Sequence, residues 1–276
     1  MNQAKKIETA SNSVSQYSGG ITIKSSQERE AMRRAGAIVG AVLGILTTSV
    51  EPGITTKDLD NIAYREITRR GGKPTFMGYR GFPASICTSV NEEIVHGIPG
   101  NRVLKEGDVV KMDVGATLDG FIGDAAISVP VGQVSEAALK LIETTRLSLQ
   151  AGIQAAQPGN RIGDIGAAVQ EYGESRGYGV VREYVGHGVG RFLHEDPQIP
   201  NYGQAGRGPL LRPGMCIAIE PMLNLGDWKT AVLDDNWTVV TSDRKLSSHF
   251  EHTIAIDKDG PVVLTVPDPE AEARLI

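Results

Sequence analysis

The chain contains an internal repeat, in which short sequence motifs of the first half recur in the same order in the second half. This repeat constrains the fold more than any other feature. Matching pairs lie 106 residues apart early in each copy and 107 residues apart near its end. The pairs are Glu30-Ala31 with Glu136-Ala137, Pro52-Gly53 with Pro158-Gly159, Asp58-Leu59 with Asp164-Ile165, and Leu104–Gly107 with Leu211–Gly214. Each copy reads as two helices followed by antiparallel strands. Because the repeat is too long for a solenoid unit, it predicts two pseudo-symmetric halves around one sheet.

The amino-acid composition favours a globular protein and argues against binding to nucleic acid or membranes. The chain has 276 residues, of which 22 % are charged and 40 % hydrophobic, as in an ordinary globular domain. The net charge of −5 argues against binding to nucleic acid or to membrane surfaces. No apolar run approaches the roughly 18 residues of a membrane span. The two cysteines, Cys87 and Cys216, lack metal-binding spacing, which favours a reducing, cytoplasmic location.

The start of the chain differs in composition from the rest. Residues 1–24 are rich in Ser, Asn, Gln and Gly and read as a flexible tail. An organellar targeting role for this tail stays open, although Glu8 and the absence of arginine argue against it. Ser25 and Ser26 can each cap the first helix, and Thr55 with Asp58 resembles a capping box at the start of the second. Residues 25–276 then form a single domain, with halves at about 25–130 and 131–266.

Two aspartates lie inside an apolar hairpin, Lys111 to Val129. Asp119-Gly120 is typical of a two-residue hairpin turn. That turn places residue 113 opposite residue 126, and the alternation of side chains puts Asp113 and Asp124 on one face. Either aspartate alone is more typical of a turn or a salt bridge. Two carboxylates on one half-buried face, however, require a cation or a shared proton.

The second copy supplies two further acids. The repeat aligns Asp113 with Glu220, and the similarity of Asp124-Ala-Ala-Ile-Ser-Val to Glu251-His-Thr-Ile-Ala-Ile aligns Asp124 with Glu251. Four carboxylates on one sheet face would need a polyvalent cation. Oxygen-rich ligands suit divalent manganese, iron(II) or cobalt, and also accept zinc. Two such ions bridged by shared carboxylates would hold a hydroxide that is nucleophilic at neutral pH.

Histidine is scarce in this chain, with five residues. His187 lies between glycines that allow close backbone approach, which favours a ligand over a core residue. His96 also precedes a glycine, whereas His194 taken alone is more typical of a structural residue. We expect His249 to be a surface residue and His252 to lie at a strand end, and we assign neither a role.

Together these residues resemble a known family. The motifs are Asn-Glu-x-x-x-His-Gly-Ile-Pro (91–99), the Asp113 and Asp124 hairpin, Gly-His-Gly-Val-Gly with His-Glu-Asp-Pro, Ile-Glu-Pro, and Phe-Glu-His-Thr. Their order and spacing, from about residue 25 to 266, resemble the type I methionine aminopeptidases. The resemblance implies the α+β pita-bread fold, in which two pseudo-symmetric halves form one curved antiparallel sheet with helices on its convex side.

The resemblance also implies which residues form the site. The ligands of two divalent ions would be Asp113, Asp124, His187, Glu220 and Glu251. Asp124 and Glu251 would bridge the ions, and Glu220 would also handle a proton during catalysis. His96 and His194 would contact the scissile amide and stabilise charge that develops in the transition state.

A methionine pocket follows from the same resemblance. Its walls would be Tyr79, Phe82, Cys87, Leu193 and Trp237, with Phe76 near the rim. Apolar walls that tolerate sulfur suit a thioether. Phe82 and Leu193 stand where other members often carry Tyr and Phe, so the pocket shape departs from the common one. Some members also bind a monovalent cation, which here implies backbone carbonyls near Asn91 and Ser248.

The implied function is removal of the initiator methionine from nascent proteins whose second residue is small, by attack of a metal-bridging hydroxide on the peptide carbonyl. Partners would be nascent peptide N-termini and, transiently, the ribosome, and the molecule would act as a monomer. An Xaa-Pro peptidase is one alternative, although such relatives usually carry an additional N-terminal domain that we do not expect before residue 25. A non-catalytic binding protein is another, although such proteins typically lose metal ligands.

Overall fold

The computed structural model of the chain describes residues 19–269. Residues 1–18, most of the predicted tail, and residues 270–276 lie outside the described part. The helices are α1 (Ser26–Ser49), α2 (Thr56–Arg69), α3 (Glu136–Ala155) and α4 (Ile162–Glu174). The strands are β1 (Lys73–Pro74), β2 (Ile86–Val90), β3 (Glu93–Val95), β4 (Val109–Leu118), β5 (Phe121–Pro130), β6 (Gly179–Val180), β7 (Gly186–Gly188), β8 (Glu195–Ile199), β9 (Cys216–Ile219), β10 (Met222–Asn224), β11 (Thr230–Val232), β12 (Val239–Thr241), β13 (Ser247–His249), β14 (Glu251–Asp257) and β15 (Gly260–Val263).

Both helices of the first half begin at capping boxes, as the sequence predicts. The Ser25 hydroxyl accepts a hydrogen bond from the Glu28 backbone N–H, and the Glu28 carboxylate accepts one from the Ser25 backbone N–H. Thr55 and Asp58 form the same pair of bonds at the start of α2. Each cap satisfies N–H groups that the helix leaves unpaired and contributes about 1 kcal/mol.

The central sheet is antiparallel and combines strands from both halves. Its order is β1-β4-β5-β14-β9-β7-β8, with β2 also paired to β4 and β15 to β14. The order therefore reads outward from the β5–β14 boundary as β5 then β4 on one side and β14 then β9 on the other. This arrangement confirms two pseudo-symmetric halves around one sheet. Two three-stranded sheets, β13-β10-β6 and β11-β12-β3, lie beside it.

The helices cover one face of the central sheet. In the first half, Val42 and Leu46 of α1 share a buried cluster with Met112 and Val114 of β4. In the second half, residues of α3 and α4 form an equivalent cluster with apolar residues of β9 and β14. Because strand side chains alternate, Asp113 must point to the opposite, helix-free face. The fold thus presents the acids of both halves on one side.

Helix α1 is long and apolar enough to span a membrane when judged by length and composition alone. However, 61 % of its most apolar window is buried inside the protein. It packs against β4 and β5. We therefore interpret α1 as a core helix.

The predicted end of the tail at residue 24 needs correction. Lys24 is buried, and its ammonium lies 2.8 Å from the Glu195 carboxylate. The Thr22 hydroxyl donates to the same carboxylate over 2.6 Å, and the Lys24 backbone N–H donates to the Gly214 carbonyl. Because Glu195 is 171 residues away from Lys24, no local pattern could have indicated these contacts.

Candidate active site

Acids from both halves meet on the helix-free face of the sheet. Asp113 on β4 pairs with Ala126 on β5, and Ala126 pairs with Glu251 on β14. Asp124 lies two residues from Ala126 and therefore faces the same side. Glu220 directly follows β9, which pairs with β14. The register predicted for the hairpin, residue 113 opposite residue 126, is confirmed.

His187 on β7 joins these acids. Ligand atoms of Asp124, His187 and Glu251 all lie within 4.8 Å of one another. His187 Nε2 is 3.8 Å from Asp124 Oδ2 and 3.7 Å from Glu220 Oε1. Asp113 lines the same cavity as these four residues. The five residues that the sequence nominates as metal ligands therefore form one cluster.

The glycines around His187 fix the direction of its ring. A Cβ atom at Gly186 would lie 2.3 Å from the Ala218 carbonyl oxygen, and one at Gly188 would lie 2.2 Å from that of Asp196. The Nδ1–H of His187 donates to the Gly188 carbonyl over 2.9 Å, which leaves Nε2 with its lone pair toward the carboxylates. Burial lowers the pKa of His187 to about 4, so the ring is neutral near pH 7. A neutral imidazole with a free Nε2 is the form that binds metals.

Burial and mutual repulsion raise the pKa values of the clustered carboxyls. Burial raises the pKa of Asp113 to about 7. Burial, followed by repulsion from Asp113, raises the pKa values of Asp124 and Glu220 well above their usual range. Burial and then the charge of Asp124 do the same to Glu251. Ionising this cluster therefore requires a strong positive charge beside it.

The donor set fits divalent metal ions. One oxygen each of Asp113, Asp124 and Glu251 is buried without a hydrogen-bond partner within residues 19–269. Buried, unpaired carboxylate oxygens are costly unless a cation binds them. Several carboxylates with one neutral imidazole suit a divalent ion of the first transition row or zinc. The residues that would hold it are Asp113, Asp124, His187, Glu220 and Glu251.

Two further histidines, His96 and His194, line the same cavity as the cluster. The His194 ring lies 4.4 Å from the His187 ring, and its Nδ1 is 2.8 Å from the Tyr79 hydroxyl. His96 lies 5.7 Å from the Tyr184 ring, and burial lowers its pKa to about 4. Partial desolvation and the nearby His187 also lower the pKa of His194. Both rings are therefore neutral near pH 7 and can each offer one N–H donor.

A cavity of about 160 Å³ is lined by the cluster at one end and by apolar residues at the other. Its walls include every residue nominated for a methionine pocket, namely Phe76, Tyr79, Phe82, Cys87, Leu193 and Trp237. The rings of Phe82 and Trp237 meet edge to face with centroids 5.1 Å apart. Cys87 pairs with Asp113 across β2 and β4, so the apolar wall directly adjoins the acids. The cavity also contacts Arg80, which the sequence did not single out.

His249 departs from the expectation, and Thr253 has a role that the sequence analysis did not identify. His249 is not on the surface: it is 1 % exposed, with Nε2 4.0 Å from Glu220 Oε2. The Thr253 hydroxyl accepts from the Asp124 backbone N–H and donates to the Asp124 carbonyl, which fixes this strand where β5 and β14 separate. Both residues lie in the motif segment around Glu251, but neither role follows from residue type alone.

Lys111 is a further residue that the sequence reading overlooked. It is 1 % exposed, and its ammonium donates to the backbone carbonyl oxygens of Asn91 over 2.7 Å and Ser247 over 3.2 Å. Burial lowers its pKa to about 7, while Glu93 and Glu92 act in the opposite direction. A lysine within an otherwise apolar strand was a usable signal, of the same kind as Asp113.

Comparisons with known proteins agree with the geometry. The model of metallopeptidase family M24 matches residues 30–258. The chain is 54 % identical to methionine aminopeptidase 1 of Bacillus subtilis, over 89 % of this chain and 99 % of the relative. It is 52 % identical to a methionine aminopeptidase of Clostridium acetobutylicum, again over 89 % and 99 %. The crystal structure of the methionine aminopeptidase of Thermotoga maritima has a TM-score of 0.88 at 46 % identity, covering 90 % of this chain and all of that one.

Proposed function

Since this chain belongs to metallopeptidase family M24, and within it to the methionine aminopeptidases, we propose that it removes the initiator methionine from nascent proteins whose second residue is small. The observation that carries this proposal is a single cavity with two unlike ends. One end holds the acids and His187, and the other is the apolar pocket. An amino-terminal methionine would place its side chain in the pocket and its peptide bond beside the cluster.

The five clustered residues would hold two divalent ions. Asp124 and Glu251 come from the two strands at the centre of the sheet and are the candidates to bridge both ions. Asp113 would hold one ion, and His187 with Glu220 would hold the other. Bound divalent ions would supply Lewis acidity for the substrate carbonyl and a nucleophile at neutral pH.

The remaining polar residues would act on the peptide itself. The raised pKa of Glu220 suits a carboxyl that takes up and returns a proton. His96 and His194 are neutral near pH 7, so each can donate an N–H to the scissile amide or to the oxygen that becomes negative. The bond from the Tyr79 hydroxyl group to His194 Nδ1 holds that ring in place. These residues need no large movement to meet a substrate in the cavity.

The pocket accounts for the side-chain preference. Phe82, Leu193 and Trp237 give apolar contact, and the Cys87 thiol remains neutral because burial and the neighbouring Asp113 raise its pKa. A long, unbranched thioether fits such walls better than a charged side chain. Second residues that are small would leave room beside the two histidines.

Partners and location follow from the same proposal. Nascent peptide N-termini are the substrates, and the ribosome is a transient partner. We propose a monomer in the cytoplasm. Both cysteines, Cys87 and Cys216, are buried free thiols, as suits a reducing compartment.

The assay that tests this function compares two peptides, Met-Ala-Ser and Met-Lys-Ser, with and without a chelator. We expect methionine release from Met-Ala-Ser, little from Met-Lys-Ser, loss of both with chelator, and recovery when manganese, cobalt or iron(II) is returned. Release that persists after complete metal removal would contradict the proposal. Cleavage of Xaa-Pro peptides but not of Met-Ala-Ser would instead favour a prolyl-bond peptidase, and no metal uptake would favour a binding protein.

A further inference from the structure

Lys111 occupies an unusual place in the sheet. It lies on β4 two residues before Asp113 and therefore faces the same side as the acid cluster. Lysine is rarely buried fully, because removing an ammonium from water is costly unless it is paired. Yet Lys111 is the largest fully buried side chain among residues 19–269. Specific contacts must therefore offset the cost of burying the Lys111 side chain.

The partners of Lys111 are backbone carbonyls from two separate segments. Asn91 lies in the turn between β2 and β3 with a positive φ of 59°, and Ser247 is the first residue of β13. The Asn91 carbonyl also accepts a hydrogen bond from the Ser247 backbone N–H over 3.1 Å. The Lys111 ammonium thus links β4 to the β2–β3 turn and to β13. We call this set of contacts the junction.

This junction supports the residues of the active site. The β2–β3 segment continues to His96, and β13 continues to Glu251 at the start of β14. The Asn91 side chain adds two bonds to the segment that enters β4: it donates to Asp108 and accepts from the Val109 backbone N–H. The hydrogen bonds of this junction therefore connect three segments that carry or lead to site residues: β4, the β2–β3 segment and β13.

The chemistry of the junction is that of a monovalent-cation site. Converging backbone carbonyl oxygens are the ligands that replace water around potassium or sodium. The family resemblance implies such an ion at carbonyls near Asn91 and Ser248, but the Lys111 ammonium already contacts the carbonyls of Asn91 and Ser247. A free ion and the ammonium cannot share that position. The residues present therefore do not fit a free monovalent ion.

We propose that the Lys111 ammonium takes the place of a bound monovalent cation and makes the stability of this chain independent of potassium or sodium. The covalent tether keeps the Lys111 side-chain nitrogen and its N–H donors on these carbonyls at any salt composition. Lys111 is thus a positioning residue, acting through the segments that carry His96 and Glu251. This role of Lys111 does not depend on which peptide the protein cleaves.

The test compares thermal unfolding in potassium, rubidium or choline chloride at equal ionic strength. The wild-type protein should unfold at the same temperature in all three. Lys111→Ala should unfold at a lower temperature in choline and recover by about 3 °C or more in potassium or rubidium, because the vacated space admits the ion. Lys111→Met should also be less stable but without a cation response, because its side chain fills the space.

Lys105→Ala is the matched control, since Lys105 is exposed just before β4 and its loss should change nothing. A cation response of the wild-type protein, or none in a folded Lys111→Ala, would overturn the proposal. Should Lys111→Ala fail to fold, wild-type crystals soaked in rubidium decide the matter by anomalous scattering. No rubidium peak at the Asn91 and Ser247 carbonyls supports the tethered ammonium, and a peak there refutes it.

Discussion

Among single residues, Asp124 is held close to the other members of the candidate metal cluster. Its carboxyl lies 3.8 Å from His187 Nε2 and within 4.8 Å of a ligand atom of Glu251, while Thr253 holds its backbone. Changing a residue that only supports a metal ligand typically lowers activity 10- to 100-fold. We therefore expect Asp124→Asn to lower kcat/KM for Met-Ala-Ser by more than about 100-fold and to reduce bound metal, measured by elemental analysis.

The control for this substitution lies in the same hairpin. Asp119→Asn makes the same chemical change at the turn, where Asp119 has a positive φ of 51° that asparagine also tolerates. We expect near-normal activity and metal content for Asp119→Asn. Near-normal turnover of Asp124→Asn would mean that the hairpin is not the site.

The protonation of the cluster predicts the pH dependence of metal binding. Burial raises the pKa of Asp113 to about 7 and raises those of Asp124, Glu220 and Glu251 well above their usual range, whereas it lowers that of His187 to about 4. The carboxyls therefore hold protons near neutral pH that a metal must displace, and His187 holds none. We expect manganese binding to tighten as pH rises from 6 to 8, by about tenfold per pH unit for each proton released.

Calorimetry in two buffers of different ionisation enthalpy would count these protons. A net release near neutral pH supports the assignment. Affinity that does not change between pH 6 and 8 would mean that the carboxyls are already ionised, and so would contradict the raised pKa values.

At the scale of elements, patterns among neighbouring residues predicted the helices and the hairpin. Contacts between residues far apart in the sequence were not predicted. The capping boxes at Ser25 and Thr55 and the Asp119-Gly120 turn depend on residues a few positions apart, so the sequence could indicate them. The acids were recognisable because a charge within an apolar strand is costly. The contacts of Lys24 with Glu195 and of Lys111 with Ser247 join residues 171 and 136 positions apart, which no local pattern encodes.

Two glycines of α1 offer a matched test of how this helix packs. A Cβ at Gly36 would lie 2.4 Å from the Leu264 carbonyl oxygen, whereas one at Gly44 would have nothing within 4 Å. Alanine in place of glycine favours a helix interior by about 1 kcal/mol. We expect Gly44→Ala to raise the free energy of unfolding by about that amount, and Gly36→Ala to lower it by about 1–3 kcal/mol because the backbones must separate. Chemical denaturation of both variants measures this difference, and equal effects would show that α1 does not pack this closely.

On the scale of the whole molecule, the two halves contribute unequally to the site. The β4–β5 hairpin of the first half and the paired strands β9 and β14 of the second supply matched acids, Asp113 and Asp124 against Glu220 and Glu251. His187 comes from β7 of the second half, and among residues 19–269 no histidine of the first half belongs to the group of candidate ligands. The two ion positions would therefore differ in ligands and in affinity. The duplication predicts the shared sheet and its four acids. The single histidine then makes the two ion positions chemically different.

Because its ligands come from both halves, bound metal should stabilise the molecule as one unit. An ion present at about 100 times its dissociation constant contributes about 2.7 kcal/mol, which for a chain of this size raises the unfolding temperature by roughly 5 °C or more. We expect this increase on adding manganese to the metal-free protein in a scanning calorimeter. Asp124→Asn from the first half and Glu251→Gln from the second should each abolish most of it, while Glu136→Gln, at a side chain 80 % exposed on α3, should retain it. If manganese still stabilised Glu251→Gln as much as the wild-type protein, the ion would bind the first half alone, and the two halves would not be joined through the site.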